Sequence, residues 1–494
     1  MRPIVTPVEM AAADRRAIDA GTPEPVLVER AGRAVAWDAR RLLGGCYGRR
    51  VVVLAGKGHN GEDGAVAAKA LADWGARVEV IRLSGGIDRE SASRSIGRSH
   101  LVIDAMFGTG FRGALGDDAS WLAGELLSAA VPVLAVDVPS GVDGLTGRVV
   151  GRAVMATATT CFAALKPGLL FEPGRTHAGQ VRVVDIGVDV SEGGEPAMRC
   201  TTSADVAAVV GLNPRVNDPE THKWSAGVLV IGGSRGMIGA PLLAARAAAR
   251  TGSGMVVVGV PGDAAATAAS GSEVVVRSLP ATAEGGFDED AGRVVVRDLA
   301  GRFGSIGLGP GIGRDPRGLQ AARRIVAEAP CAIVVDADAL NALADDPAPM
   351  RVRHAAGLAR PVLTPHAGEY ERLAGEPVGD DRIAAARRLA ERTRAVVLLK
   401  GPGTVVATPG GRVAVCPHGG PELAAAGTGD VLTGVIAALL AFGAEAFEAA
   451  AAAAWLQAEA ALDAGTGASL VASDLLGALG PTIAALRAPN APED

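Results

Sequence analysis

Short runs of Val, Ile and Leu alternate with longer Ala- and Leu-rich stretches along nearly the whole chain. Runs of this kind, closed by Gly, Pro or Asp, read as buried strands, and the stretches between them as helices; the alternation is that of βαβ units with largely parallel sheets. In the first part, residues 50–54, 77–83, 101–103 and 131–136 are predicted strands, with helices over 65–74 and 119–127. In the second, residues 227–231, 255–260, 332–335, 361–363 and 395–399 are predicted strands. The run of alanines from Ala449 to Ala454 predicts a packed helix, alanine being the best helix former.

A chain of 494 residues is too long for one ordinary core. The predicted seam is Ser191-Glu192-Gly193-Gly194-Glu195-Pro196, short, polar and rich in turn residues, which divides the chain into domains 1–199 and 200–494. A net charge of -6 offers no basic stripe, so no nucleic-acid partner is expected. Five scattered cysteines (Cys46, Cys161, Cys200, Cys331 and Cys416) form no CxxC pair and predict reduced thiols. The first residues lack the charged and apolar regions of a signal peptide. The best membrane candidate, 431–443, is too short, and Glu445 and Glu448 interrupt the stretch beyond it. The expectation is a cytoplasmic protein with no membrane partner.

Chemistry-bearing residues come directly after the predicted strands. Gly56-Lys57-Gly58-His59-Asn60-Gly61-Glu62-Asp63-Gly64 links a strand to a helix, where backbone amides cradle a phosphate or merely turn the chain. Asp104 opens a turn that runs to Gly110, and Asp137 opens Asp137-Val138-Pro139-Ser140-Gly141. Ligands of open parallel sheets bind beyond the carboxyl ends of strands, and three strands deliver Asn60, Asp104 and Asp137 there. Lys166, before Pro167, is by default a solvated lysine; the alternative is a phosphate contact. Downstream come Gly232-Gly233-Ser234, Gly239-Ala240-Pro241, a run of four glycines between Gly307 and Gly313, Asp336-Ala337-Asp338, and His366 between Pro365 and Ala367. Lys400-Gly401-Pro402-Gly403-Thr404 and Ala425-Ala426-Gly427-Thr428-Gly429-Asp430 complete the set. The last of these joins converging amides and a helix N-terminus to an Asp that is either a helix cap or a base for an attacking hydroxyl. No zinc-ligand spacing occurs.

Together these blocks resemble bifunctional NAD(P)H-hydrate repair enzymes. Residues 1–190 resemble the epimerase domain, with His59 where the family has Asn and Glu62 where it has Gly. Residues 200–488 resemble the dehydratase domain. The resemblance implies an α/β protein with an N-terminal Rossmann-like three-layer αβα domain and a C-terminal ribokinase-like αβα domain. It implies potassium held by Asn60, Asp104 and Ser140. The hydrated nucleotide would meet His59, Asn60, Gly61, Glu62 and Asp63, then Gly108, Thr109, Gly110, Phe111, Arg112, Gly113 and Ala114, with Asp137 at the reacting centre. In the second domain Ala240, Gly311, His366 and Asp430 would contact the hydrate. Lys400, Gly401, Pro402, Gly403, Thr404 and Gly429 would contact ADP, brought with magnesium. NAD(P)H hydrate carries a hydroxyl in R and S forms. The expected reactions are epimerisation at Asp137, then ADP-dependent phosphorylation by Asp430 and loss of phosphate, returning NAD(P)H, AMP and phosphate. Relatives assemble, so a homo-oligomer is expected. The rival reading is a ribokinase-like small-molecule kinase with a non-catalytic N-terminal nucleotide-binding domain.

Overall fold

The computed structural model describes residues 2–191, 197–262 and 273–487, so most of the predicted seam, 192–196, lies outside the described residues. The chain separates into two compact units, Arg2–Arg199 and Cys200–Asp494.

The first unit holds a six-stranded sheet. Its strands are β1 (Arg50–Ala55), β2 (Arg77–Arg82), β3 (Leu101–Ala105), β4 (Val133–Val136), β5 (Ala158–Phe162) and β6 (Gln180–Val184), ordered β2-β1-β3-β4-β5-β6. All pairs are parallel. Side chains alternate faces along a strand, and both faces here are buried. Val51, Val53, Leu101, Ile103, Leu134 and Val136 pack on one side with the helices Glu24–Leu43 and His59–Asp73. Val52, Leu54, Val102 and Val133 pack on the other with Leu122 and Leu126 of the helix Asp117–Ala129. The strands reverse direction of addition at β1, so β1 and β3 flank a crevice at their carboxyl ends.

The second unit repeats this logic in β7 (Gly227–Ile231), β8 (Met255–Pro261), β9 (Val275–Leu279), β10 (Ser305–Leu308), β11 (Ala332–Val335), β12 (Val362–Leu363), β13 (Val396–Leu399), β14 (Thr404–Ala407) and β15 (Val413–Cys416). Their order is β15-β14-β13-β12-β11-β10-β7-β8-β9. From β9 to β13 the pairs are parallel, while β14 and β15 add antiparallel. Here the switch point lies between β7 and β10. The helices Gly239–Thr251, Thr428–Ala441 and Ala446–Ala464 cover one face, and Ala449 to Ala454 are all buried among them. Gly434 lets the first two of these helices approach closely: a β-carbon there would lie 1.9 Å from the Ala244 carbonyl oxygen. No described helix is long and apolar enough to cross a membrane.

Candidate active sites

The crevice of the first unit is a cleft of about 1150 Å³. The helix after β1 begins at His59, six residues before the predicted start, so the glycine-rich segment is mostly first turn rather than loop. Glycine is required along it. A β-carbon on Gly56 would stand 1.9 Å from the Met106 carbonyl oxygen, and one on Gly61 would stand 2.1 Å from that of Gly56. Of the residues singled out in the sequence, His59, Asn60, Asp63, Gly108, Thr109, Gly110, Phe111 and Asp137 line the cleft. Gly61 is buried and Glu62 is exposed; neither lines it. Arg112 turns away to Asp143 at 3.3 Å, and Gly113 and Ala114 are exposed. His59 reaches Glu24 at 2.8 Å on the rim.

Beneath this lining, Asp104 and Ser140 are fully buried. The Ser140 hydroxyl donates to Asp104 Oδ1 at 2.6 Å and its amide to Oδ2 at 2.8 Å. Burial pushes the Asp104 carboxyl up to about 6, against the pull of those hydrogen bonds. Asn60 is adjacent to Gly108, its Oδ1 2.9 Å from where a β-carbon would sit, and Asn60 Nδ2 is buried without a partner.

Asp137 follows β4 in the left-handed region, φ 63°, a strained conformation for a residue with a side chain. Its Oδ1 accepts from Lys166 Nζ at 2.6 Å. Lys166 is not the solvated lysine expected by default. It has no exposed surface, and it also donates to the Phe162 carbonyl at 2.8 Å. Burial pulls its ammonium down most strongly, but the charges of Asp137 and Cys161 and the hydrogen bonds to both together offset this, and the net shift is upward. Asp63 is pushed up to about 8 by burial, then by the charges of Asp137, Glu62 and Asp14.

In the second unit, three consecutive strand ends meet. Asp336 after β11 accepts from Thr364 after β12 at 2.7 Å and from Lys400 after β13 at 2.8 Å. Thr433, on the helix Thr428–Ala441, donates to the other Asp336 oxygen at 2.8 Å. Glu369 adds a second carboxylate 3.6 Å from Lys400 Nζ. Burial opposes ionisation of Asp336, yet Lys400 and the hydroxyls hold its carboxyl below the usual range. The sequence singles out Asp336 after its strand but gives it no partner, and it does not single out Thr433. The Asp had a signal, its place at a strand end; Thr433, inside a helix, had none.

Lys400 thus points inward, and a β-carbon on Gly429 would lie 3.6 Å from its Nζ. Gly401 and Gly403 turn the chain with positive φ of 142° and 70°, and Thr404 already begins β14. Gly427, φ 89°, caps the helix, so Asp430 is not the cap but stands in the first turn. Burial, then Asp336, pushes the Asp430 carboxyl up to about 7, with Lys400 pulling it down. At the switch point, Gly311 (φ 69°) lies against the helix that starts at Gly239: a β-carbon would meet Met237 O at 2.6 Å and Ala240 Cβ at 3.5 Å. His366 caps the helix Ala367–Ala374, its Nδ1 accepting from Gly368 N at 3.0 Å, while its Nε2 lies 3.5 Å from Glu369 Oε1. Its ring is half-exposed.

Family models match both units: residues 228–480 match NAD(P)H-hydrate dehydratase, and 24–95 and 82–168 match the YjeF-related protein N-terminus. A bifunctional NAD(P)H-hydrate repair enzyme of Moorella thermoacetica is 37% identical, over 88% of this chain and 87% of its own. One of Salinibacter ruber is 38% identical, over 98% and 96%. The solved ADP/ATP-dependent NAD(P)H-hydrate dehydratase of Bacillus subtilis, crystallised with ATP and magnesium, is 27% identical with TM-score 0.46, covering 55% of this chain and 93% of that one. A ribokinase-like protein of Enterococcus faecalis gives 22% and 0.49, covering 59% and 96%. The chain belongs to the bifunctional NAD(P)H-hydrate repair enzymes.

Proposed function

We propose that the chain repairs hydrated NADH and NADPH, with an epimerase in residues 1–199 and an ADP-dependent dehydratase in 200–494. The observation that carries the second activity is the convergence of Lys400, Gly429 and Asp430 at one helix N-terminus, with Asp430 tuned to about 7. Hydroxide is a poor leaving group and must first be phosphorylated. Asp430 takes the proton of the hydrate hydroxyl, whose oxygen attacks the terminal phosphorus of ADP as the bond to AMP breaks. The amides of Gly427, Thr428 and Gly429, with Lys400, meet the charge on the phosphoryl group in transit. Phosphate then leaves with the carbon–oxygen pair, a ring proton is lost, and the double bond returns. Ala240, Gly311 and His366 border the hydrated ring, and Gly401, Pro402, Gly403 and Thr404 the nucleotide. Magnesium neutralises phosphate charge when bound with ADP.

In the first unit, Asp137 acts as base at the hydroxyl-bearing carbon. Asp104, Ser140 and Asn60 fit a potassium ion. Their oxygens are hard donors, and the buried Asp104 carboxylate has no cationic partner among the described residues. Such an ion supplies a fixed positive charge beneath the cleft. A cytoplasmic location and a homo-oligomer are part of the same reading.

Two variants test the assignment. Asp430→Ala should abolish ADP-dependent recovery of reduced nicotinamide from the S form while leaving R–S interconversion, and Asp137→Ala should do the reverse. Wild-type dehydration by Asp430→Ala contradicts the mechanism.

A further inference from the structure

Asp63 occupies a setting that binding alone does not explain. It stands near the start of the helix His59–Asp73, 7% exposed, on the wall shared with Asp137 and Lys166. Among the described residues no basic side chain pairs with it. The charges that act on it are carboxylates: Asp137 beyond β4, the exposed Glu62 on its own helix, and Asp14 on the helix Pro7–Asp19. Asp137, by contrast, is fixed to a buried ammonium at 2.6 Å. Of the two carboxyls in this cleft, one is tied to a cation and the other stands among anions, a setting that favours the protonated form of Asp63.

We propose that Asp63 is the proton donor of the cleft, acting opposite the Asp137–Lys166 pair in a ring-opening epimerisation; this rests on the epimerase reading of the first unit. The hydrated ring bears its hydroxyl on the carbon beside the ring nitrogen, which makes it a hemiaminal. Asp137 takes the hydroxyl proton, and the O–H electron pair becomes the second carbon–oxygen bond. The carbon–nitrogen bond breaks, and its pair, now on nitrogen, takes the Asp63 proton. Rotation of the freed aldehyde presents its other face. Nitrogen then attacks the carbonyl carbon and returns its proton to Asp63, while the oxygen regains the proton held by Asp137. Nothing is oxidised or reduced, and the oxygen never leaves its carbon. A carboxyl pushed up to about 8 by burial and by its neighbours holds the required proton at neutral pH.

The test follows conversion of purified R hydrate of NADH to the S form by the whole chain, without ADP, in heavy-oxygen water. Wild type should convert it with no label entering the product beyond the uncatalysed background, and its rate should fall as pH rises past about 8. Asp63→Asn should lower kcat by about a hundredfold or more with KM little changed. Asp63→Glu should restore part of the rate with the basic limb displaced, and this variant decides the matter if Asp63→Asn does not fold. An unchanged rate in Asp63→Asn, an unmoved limb in Asp63→Glu, or label entering once per turnover overturns the proposal. A wild-type chain that does not interconvert the epimers overturns the epimerase reading itself, and the donor with it.

Discussion

Lys166 Nζ lies 2.6 Å from Asp137 Oδ1, and neither group has more than a trace of solvent contact. Such a pair gives the buried Asp137 charge its counter-ion, and it fixes the carboxylate of a residue that the chain already holds in a strained conformation at the strand end.

Removing one partner strands the other. Lys166→Met should cost the first unit about 3 to 5 kcal/mol, because the Asp137 charge stays buried without its cation. Denaturant unfolding measures this. The double variant Lys166→Met with Asp137→Asn should recover a large part of the loss, and additive losses would show that the two groups are not coupled.

Asp430 has its carboxyl raised to about 7, so the base is ionised only above that value. Dehydration kcat/KM should therefore climb with pH through about 7 and level off beyond it. The stability sign is the opposite one. In the unfolded chain the group loses its proton near the ordinary value of 3.8, while the folded chain keeps it to about 7. Folding stability from this group is thus lost as pH rises across that window. Asp430→Asn should abolish the activity limb and be relatively more stable above pH 7, read from urea titrations at several pH values.

Lys400 pulls the Asp430 carboxyl down. Lys400→Met should therefore move the ascending limb of the pH–rate profile to higher pH, besides lowering turnover. A limb that stays in place while the rate falls would limit Lys400 to holding phosphate.

Gly309 combines φ 126° with a neighbour that leaves no room: a β-carbon would stand 1.8 Å from the Asp336 carbonyl oxygen. Gly309→Ala should lower the melting temperature of the second unit and, by shifting Asp336, reduce dehydration. Differential scanning calorimetry with ADP-dependent turnover checks both.

The strands and glycine turns were legible because burial on both sheet faces demands continuous apolar runs, and tight strand-to-helix turns demand glycine. β7 and β11 fall where the sequence places them. Lys166 was misread, since a pairing across 29 residues leaves no local pattern, and a lysine before proline looks solvated wherever it stands. The helix start at His59 was missed for a related reason. Its first turn is built of His, Asn, Gly and Glu, none of them a strong start by propensity except Glu, and Gly61 packs there against the Gly56 backbone. Thr433 and Asp14 sit inside helices, where only the fold brings them to a site. Glu62, which departs from the family pattern, faces solvent instead of the cleft, a direction that the motif could not reveal.

The most direct test supplies the chain with a mixture of R and S NADH hydrate, ADP and magnesium, and tracks the return of reduced-nicotinamide absorbance. Complete ADP-dependent recovery, with AMP and phosphate formed in equal amounts and no phosphorylated hydrate accumulating, is the predicted result. A stable phosphorylated product, or no recovery with either ADP or ATP, would contradict it.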